Sequence, residues 1–374
     1  MNNLVRSGAL LVTSFLFAVI LSEAVLFTIG DEVPSYKKSE SARYVVFREH
    51  VPNSEIEFLR PGQRGEFDVL RIDIDANGFI KSTLNESRDK PDFTFLFLGG
   101  STTETALVDP SQRFVDLVGR RVSSELDVQV ETLNAGVSGN NSLHSLVSFL
   151  AKGIAVDPDF VVVMHNVNDL MSLRWMGSYW GENHPRPAVG RFPGSFESMI
   201  EKIKSVIRLS IPRLHSRMAA LISKGSSGEW AAVQNKTTMD ANLILNNFHS
   251  SLSSLVAISR CWGVEPILMT QPSLISHDSS IFLSEFQNAD PGKFADLHSQ
   301  ANDLIRQVGE DWDVDVIDLA MLVPPDRRYF YDSVHVNNEG SALIASFISE
   351  YIIEHQLLSA RVSGTSKEFS KCGF

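Results

Sequence analysis

The stretch FTFLFLGGST, residues 93–102, joins a continuous apolar run to two glycines and a serine. A run of this kind is typical of a strand that is buried on both faces, as in a parallel sheet. The glycines let the backbone turn sharply after the strand and expose the hydroxyl of Ser101. The pattern therefore predicts a buried strand over residues 93–98 that leads directly to a chemically available serine.

Short apolar runs alternate with helical patterns over most of the remaining chain. This alternation is typical of βαβ units and a parallel sheet. The predicted strands are residues 93–98, 128–133, 160–164, 266–270 and 314–317. The predicted helices are residues 112–125, 142–152, 240–260, 294–308 and 338–355. The sequence thus indicates one large α/β domain with additions.

Small and polar residues follow each predicted strand. In an open parallel sheet, ligands bind beyond the carboxyl ends of the strands. The segments in question are GGSTTE at 99–104, NAGVSGN at 134–140, HNVND at 165–169, QP at 271–272 and YDSVH at 331–335. We therefore expect these segments to converge on one rim of the sheet.

The converging segments contain the parts of a serine hydrolase. Serine is a weak nucleophile, so Ser101 needs a base to accept its proton, and His335 is the best candidate. Asp332 precedes that histidine by three residues, so one tight turn places it against the ring, where it fixes the tautomer. The backbone N–H groups of Ser101 and Gly139 and the amide of Asn168 are candidate donors to the oxyanion. This chemistry requires no cofactor, and no CxxC motif or Cys/His cluster suggests a metal site.

At these residues the sequence resembles the SGNH/GDSL hydrolase superfamily, which is named for four blocks centred on Ser, Gly, Asn and His. The matching blocks are GGST at 99–102, NAGVSG at 134–139, NVND at 166–169 and DSVH at 332–335. The resemblance covers about residues 93–173 and 264–351. It implies a three-layer α/β/α, flavodoxin-like parallel sheet, the SGNH hydrolase fold. It also implies the roles given above: Ser101 as nucleophile, His335 as base, Asp332 as orienting acid, and Gly139 and Asn168 as oxyanion donors.

Three positions depart from the usual pattern of the superfamily. Gly100 stands where Asp is frequent, Thr102 where Leu is frequent, and Asn166 where Gly is usual. None of these changes removes a group that the mechanism needs. They indicate a subfamily with a substrate of its own.

The start of the chain predicts a membrane anchor. An apolar run from about residue 9 to residue 29 carries one charge, Glu23, and is long enough to cross a bilayer as a helix. Residues 22–24 make a poor signal-peptidase site, although a cleaved signal peptide and a buried helix are the alternatives. Arg6 before the run favours a cytoplasmic N-terminus. We therefore expect a single-pass protein of the inner (cytoplasmic) membrane with a periplasmic or extracytoplasmic catalytic domain.

The same arrangement resembles membrane-anchored bacterial members of the superfamily, which often accompany surface-polysaccharide synthesis. By analogy, this resemblance implies O-acetyl groups on a glycan as a substrate.

The rest of the chain is predicted to add peripheral segments to the hydrolase domain. The predicted divisions are an anchor at 1–30, a stalk and irregular leading segment at 31–90, the hydrolase domain at 91–357 with an insert at 171–239, and a C-terminal tail at 358–374. Within the leading segment, residues 69–75 alternate like an edge strand and residues 76–78 predict a turn. A basic helical stretch at 196–223 is interpreted as a solvated face, with a lid or a membrane-facing helix as alternatives.

Five further residues are candidate substrate contacts. Glu104 either contacts substrate or contributes a favourable charge near a helix N-terminus. His144 and His165 are either substrate contacts or hydrogen-bonded structural histidines. Trp175 and Tyr179 either stack on sugar rings or pack within the insert.

Charge and cysteine content exclude some classes of function. The net charge is −12, with 45 acidic and 33 basic residues, which argues against a nucleic-acid partner. The chain has only two cysteines, Cys261 and Cys372, and we interpret the first as a packed thiol, with a disulfide between the two as the alternative. The sequence says nothing about the oligomeric state.

Three functions remain open from the sequence. The leading hypothesis is an esterase that removes acyl groups from a carbohydrate or small ester, with water resolving an acyl-enzyme. The second is an O-acyltransferase that uses the same triad and a sugar hydroxyl in place of water. The third is a non-catalytic scaffold of an envelope assembly, against which the intact Ser, Asp and His set argues.

Overall fold

From residue 45 onward, the computed structural model describes residues 45–61, 67–82, 90–180, 186–191, 240–275 and 291–362. The predicted anchor, the basic stretch at 196–223 and most of the predicted C-terminal tail lie outside the described residues. Within the described ranges, no helix combines the length and the apolar character needed to cross a membrane.

The described part of the chain alternates strands and helices, as the sequence predicts. The strands are β1 (Val45–Phe47), β2 (Glu55–Pro61), β3 (Phe67–Asp73), β4 (Phe93–Gly99), β5 (Val130–Asn134), β6 (Phe160–Met164), β7 (Val189–Arg191), β8 (Glu265–Met269) and β9 (Asp315–Ile317). The helices are α1 (Ser101–Glu104), α2 (Phe114–Leu126), α3 (Ser142–Ser148), α4 (Val167–Met176), α5 (Ala241–Cys261), α6 (Pro291–Trp312), α7 (Leu319–Leu322), α8 (Asn338–Glu354) and α9 (Leu357–Val362).

Five strands form one parallel sheet in the order β5-β4-β6-β8-β9. Counted among themselves in chain order, they follow the 2-1-3-4-5 order of flavodoxin-like sheets. The predicted parallel α/β fold is therefore confirmed. Each of the five strands lies within two residues of its predicted bounds. The predicted helix at 142–152 is shorter, because α3 ends at Ser148 and a π-helical turn, Phe149–Gly153, continues the chain.

The sheet separates two hydrophobic cores, which gives the three layers. Successive side chains of a strand point to opposite faces. Leu96 and Leu98 of β4 join a cluster with α3, α4, α5 and α6. Phe95 and Phe97 join a second cluster with α2, α7, α8 and α9. All four side chains are at most 1% exposed, which explains why this strand reads as a continuous apolar run.

The leading segment contains more regular structure than the sequence predicts. The predicted edge strand corresponds to β3, which pairs with β2 in an antiparallel hairpin. The predicted turn is present, with Gly78 at a φ of 75°. In addition, β1 pairs with β7 of the insert, and Ile80 forms a bridge to Asn134 at the edge of the main sheet. Residues 45–61 and 67–82 therefore contain regular strands, which the prediction of an irregular segment did not include. The predicted domain boundaries stay predictions.

The interpretation of Cys261 as a packed thiol is wrong. Its sulfur is disulfide-bonded. The sequence has one other cysteine, Cys372, which lies outside the described residues. The sequence favoured the thiol because two cysteines form no recognisable disulfide framework.

Candidate active site

The structure brings the three predicted catalytic side chains together. Ser101 begins α1, directly after β4, and its Oγ lies 2.7 Å from Nε2 of His335. The other ring nitrogen of His335, Nδ1, lies 2.6 Å from Oδ2 of Asp332. Both distances are within hydrogen-bonding range. The order serine, imidazole, carboxylate is that of a catalytic triad, in which the carboxylate orients the imidazole and the imidazole accepts the proton of the serine.

A tight loop after β9 holds Asp332 and His335 in this geometry. The backbone N–H of Tyr331 donates to the carbonyl of His335, which closes the loop. The N–H groups of Val334 and His335 both donate to Oδ1 of Asp332, at 2.9 and 2.7 Å. Burial alone would raise the pKa of Asp332, but the hydrogen bonds and charge of His335 and the two backbone donors outweigh burial and lower the pKa. The carboxylate therefore stays ionised at neutral pH.

The predicted oxyanion donors follow β5 and β6, the strands that flank β4 in the sheet. Gly139 has a φ of 79°, a left-handed conformation that favours glycine, within a turn closed by the N–H of Asn140 and the carbonyl of Val137. The side-chain amide of Asn168 donates to the carbonyl of Asn140 at 2.9 Å. An ideal Cβ on Gly100 would lie only 2.3 Å from the amide nitrogen of Asn168. A side chain at this position would therefore require the Asn168 amide to shift.

A buried polar network connects the segments that follow β4, β6 and β8. Gln271, after β8, accepts from the N–H of Val167 at 3.0 Å and donates to Oγ1 of Thr102 at 3.1 Å. Asn302 of α6 bonds both the N–H and the carbonyl of Gln271, and it accepts from Asn166. The network accounts for two departures from the superfamily pattern, because Thr102 and Asn166 both take part in it. The sequence gave Gln271 as a residue of the rim, but Asn302 carried no recognisable signal within its helix.

His298 lies next to this network, and it predicts a dependence of stability on pH. It is 5% exposed, and burial lowers its pKa to about 4. The unfolded chain takes up a proton at this ring below about pH 6.5, whereas the folded chain does so only near pH 4, so stability is lost as pH falls between these values. Between pH 7 and pH 4, we expect the free energy of unfolding of His298→Gln to fall by about 2–3 kcal/mol less than that of wild type. The measurement is the free energy of unfolding in urea from pH 4 to 7. Replacing the exposed His355 by Gln serves as the control, and equal pH slopes for wild type and His298→Gln would contradict the prediction.

Comparison with known families agrees with the site. Residues 97–244 match the model of the GDSL-like lipase/acylhydrolase family. The chain carries a GDSL-like lipase/acylhydrolase domain. The domain is therefore an ester hydrolase of the SGNH/GDSL type. The matched residues include Ser101, Gly139 and Asn168. Asp332 and His335 come later in the sequence than the matched range, and the fold brings His335 into hydrogen-bonding distance of the serine.

Solved structures of similar proteins cover about 70% of this chain. A lipase/acylhydrolase from Enterococcus faecalis is 17% identical, with a TM-score of 0.43, covering 70% of this chain and 96% of its own. The acetyl xylan esterase AlAXEase is 16% identical, with a TM-score of 0.43, covering 70% of this chain and 100% of its own. Axe2, an acetylxylan esterase from Geobacillus stearothermophilus, is 15% identical, with a TM-score of 0.41, covering 72% and 96%. No curated protein matches the sequence.

Four of the five candidate substrate contacts are buried in the hydrolase domain. Glu104 is 1% exposed and bonds Ser138 and His50. His144 caps α3 together with Asn141, and its Nε2 bonds the carbonyl of Arg186. The prediction of substrate contact does not fit Glu104 or His144, because their polar atoms are already engaged inside the protein.

His165 and Tyr179 are joined to Asp169, which links α3 and α4 of the hydrolase domain. The Asp169 carboxylate accepts from Ser142 Oγ at 2.5 Å and from the Tyr179 hydroxyl at 2.7 Å. Burial raises the pKa of Asp169 to about 6, although these hydrogen bonds oppose the rise. Burial, with His144 nearby, lowers the pKa of His165 to about 3, so this ring is neutral at physiological pH. These residues are therefore structural, and Trp175 is half-buried against the same core.

The aromatic side chain that does lie beside the triad is one that the sequence analysis did not select. Tyr331 is 44% exposed, and its ring lies parallel to that of His335 with centroids 5.5 Å apart. Its place next to the DSVH block was the available signal. A partly exposed aromatic ring thus lies next to the base of the candidate site.

Proposed function

We propose that the hydrolase domain cleaves carboxylic esters through Ser101, with His335 as general base and Asp332 as the group that orients it. The observation that carries this proposal is the hydrogen-bonded chain of 2.7 and 2.6 Å from Ser101 through His335 to Asp332. A nucleophile, its base and the orienting acid are all within direct reach, with no cofactor required.

The proposed reaction runs in two halves. Nε2 of His335 takes the proton of Ser101 as Oγ attacks the ester carbonyl, and the negative charge that forms on the carbonyl oxygen is met by the N–H groups of Ser101 and Gly139 and the amide of Asn168. The imidazolium then protonates the leaving alcohol, leaving an acyl-serine. Water attacks the acyl-serine with His335 again as base, which releases the acid and restores the serine.

We further propose that the substrate is an acylated carbohydrate and that the acyl group is small, as in an O-acetyl sugar. The exposed ring of Tyr331 beside His335 supports this choice, because the apolar face of a pyranose ring packs well on an aromatic face. The leaving alcohol departs from the side on which His335 lies, so a sugar there would meet Tyr331.

Replacing Tyr331 by Ala is expected to raise KM for an acetylated oligosaccharide about fivefold, since loss of a stacking contact costs about 1 kcal/mol. The same change should leave kcat and KM for a small chromogenic acetyl ester within about twofold. Steady-state kinetics on both substrates measure the difference. Tyr331→Phe keeps the ring and serves as the matched control. A fall in kcat on both esters would instead mean that Tyr331 only supports the His335 ring.

We propose an extracytoplasmic location for the domain. The apolar run at 9–29 supports an anchor, and the disulfide at Cys261 supports an oxidising compartment, where such bonds persist. Fractionation of cells that express the full chain tests the proposal: the protein should stay with membranes in high salt and dissolve only in detergent. Release by salt alone would count against a spanning helix.

Hydrolysis and acyl transfer differ only in which acceptor reaches the acyl-serine. The test is to incubate the full-length chain with an acetyl ester, with and without sugar acceptors, and to quantify free acetate and acetylated sugar by mass spectrometry. Hydrolysis predicts acetate as the main product under both conditions. A large excess of acetylated sugar would replace the esterase proposal with the transferase. A wild-type chain as inert as Ser101→Ala would leave only the scaffold.

A further inference from the structure

Three side chains from outside the catalytic blocks contact the loop that carries Gly139. We call residues 136–140 the oxyanion loop, and we call Arg48, His50 and Arg186 the clasp. Two clasp residues come from the leading segment, and the third comes from the insert. None of the three was selected by the sequence analysis, because single basic residues outside a motif carry no pattern.

The clasp contacts the oxyanion loop at Gly136, Ser138 and Gly139. A guanidinium nitrogen of Arg48 donates to the carbonyl of Ser138 at 2.6 Å. Nε2 of His50 donates to the carbonyl of Gly136 at 3.2 Å. An ideal Cβ on Gly139 would lie 2.0 Å from a guanidinium nitrogen of Arg186. The Arg186 side chain therefore covers the α-carbon of the predicted oxyanion donor.

The two segments that carry the clasp are fixed to each other and to the domain. Strand β1, which ends just before Arg48, pairs with β7, which begins three residues after Arg186. The carbonyl of Arg186 accepts from His144, whose ring is buried at the start of α3. Nε2 of His50 lies 3.1 Å from Glu104 at the end of α1, the helix that begins with Ser101. Each clasp residue is thus attached both to the oxyanion loop and to a rigid element.

We propose that the clasp residues are positioning residues that hold the N–H of Gly139 where the oxyanion forms. An oxyanion donor is effective only if it is already aimed at the developing charge, and an error of about 1 Å can cost about 100-fold in rate. Gly139 occupies a left-handed turn, and the backbone of a glycine has wide freedom unless its surroundings restrict it. The clasp supplies that restriction from three directions. The leading segment is then part of the catalytic machinery rather than only a connection to the predicted anchor.

A purely structural role for the clasp makes a different prediction. If these contacts only attach the leading segment, their loss would lower the melting temperature and leave the chemistry unchanged well below that temperature. If they aim the Gly139 donor, their loss would weaken binding of the transition state more than binding of the substrate. A boronic acid that forms a tetrahedral adduct with the serine measures transition-state binding directly.

The test compares Arg48→Ala, His50→Ala and Arg186→Ala with wild type in the full-length chain, on a small chromogenic acetyl ester. We expect kcat to fall about 10- to 100-fold with KM within about twofold, and the affinity for the boronic acid to fall by the same factor as kcat. Arg71→Ala is the matched control, because Arg71 is an exposed arginine of the same segment that pairs with Glu55 and Glu57 of the hairpin. The conservative variants Arg48→Lys and His50→Gln should recover part of the lost kcat and inhibitor affinity.

Each outcome decides the proposal. Unchanged kcat and inhibitor affinity in folded clasp variants, with or without a lower melting temperature, would overturn it. If an alanine variant fails to fold, the conservative variants are tested in its place, since they keep a hydrogen-bond donor at the same position. Their kcat and inhibitor affinity should be lower than those of wild type but not abolished. The proposal rests on the proposed function: wild-type activity that Ser101→Ala does not abolish would overturn both, whereas an active, Ser101-dependent enzyme with indifferent clasp variants would overturn the clasp alone.

Discussion

Replacing Ser101 by Ala is expected to lower kcat for any ester substrate by roughly 10⁴- to 10⁶-fold. The alanine has no oxygen to form the acyl-enzyme, so His335 loses the proton donor that lies 2.7 Å from its Nε2. The oxyanion donors and the binding surface remain, which is why a small residual rate is expected rather than none. The measurement is acetate release from a chromogenic acetyl ester by the full-length chain.

The matched control for this variant is Ser111→Ala, which removes an exposed hydroxyl at the 3₁₀ turn before α2 and should leave kcat unchanged. Labelling with a fluorophosphonate provides an independent readout, since the probe should modify wild type and Ser111→Ala but not Ser101→Ala. A Ser101→Ala protein that retains more than about a tenth of the wild-type rate would mean that another group is the nucleophile.

The fold was predictable because its signal is local. The central strands β4 and β6 are short apolar runs buried over their whole length, whereas the edge strands β5 and β9 include polar residues. Burial on both faces forces a continuous apolar run, and the intervening helices show a different period, so each element can be recognised by itself. The five rim segments were predictable for the same reason, because the ends of parallel strands must meet at one edge.

The parts that the sequence did not predict depend on contacts between distant segments. The pairing of β1 with β7 joins residues more than 140 positions apart, and β1 is only three residues long. The roles of Glu104 and His144 depended on burial, which their spacing does not reveal. Likewise, the disulfide of Cys261 has no local signature. In each case the same side chain fits two environments, and only the packed structure selects between them.

The candidate site shows the same division between local and distant information. The turn from Asp332 to His335 is encoded within four residues and was predictable as a dyad. The support of the oxyanion loop by Arg48, His50 and Arg186 involves three segments that no motif connects. Positioning residues of this kind act through the backbone of another residue, so their own identity reveals little about the chemistry they serve.

Replacing Asp332 by Asn is expected to lower kcat about 10³- to 10⁴-fold at neutral pH with little change in fold. The asparagine oxygen can still accept from the N–H groups of Val334 and His335, so the loop should keep its shape. Its amide N–H would then face Nδ1 of His335, which favours the tautomer that carries its proton on Nε2. A ring in that state cannot accept the proton of Ser101.

The measurement for Asp332→Asn is kcat from pH 5 to 9, with the exposed Asp326 of the preceding loop replaced by Asn as the control. Because the pKa of Asp332 is lowered, its carboxylate stays charged between neutral and mildly acid pH. The stability that this charged carboxylate contributes is lost only at lower pH, where the folded protein takes up a proton at Asp332. Activity lost by wild type between pH 7 and 5 would therefore not come from protonation of Asp332. If Asp332→Asn kept kcat within about tenfold of wild type, Ser101 and His335 would act as a dyad, and the 2.6 Å contact between Asp332 and His335 would serve only to fold the loop.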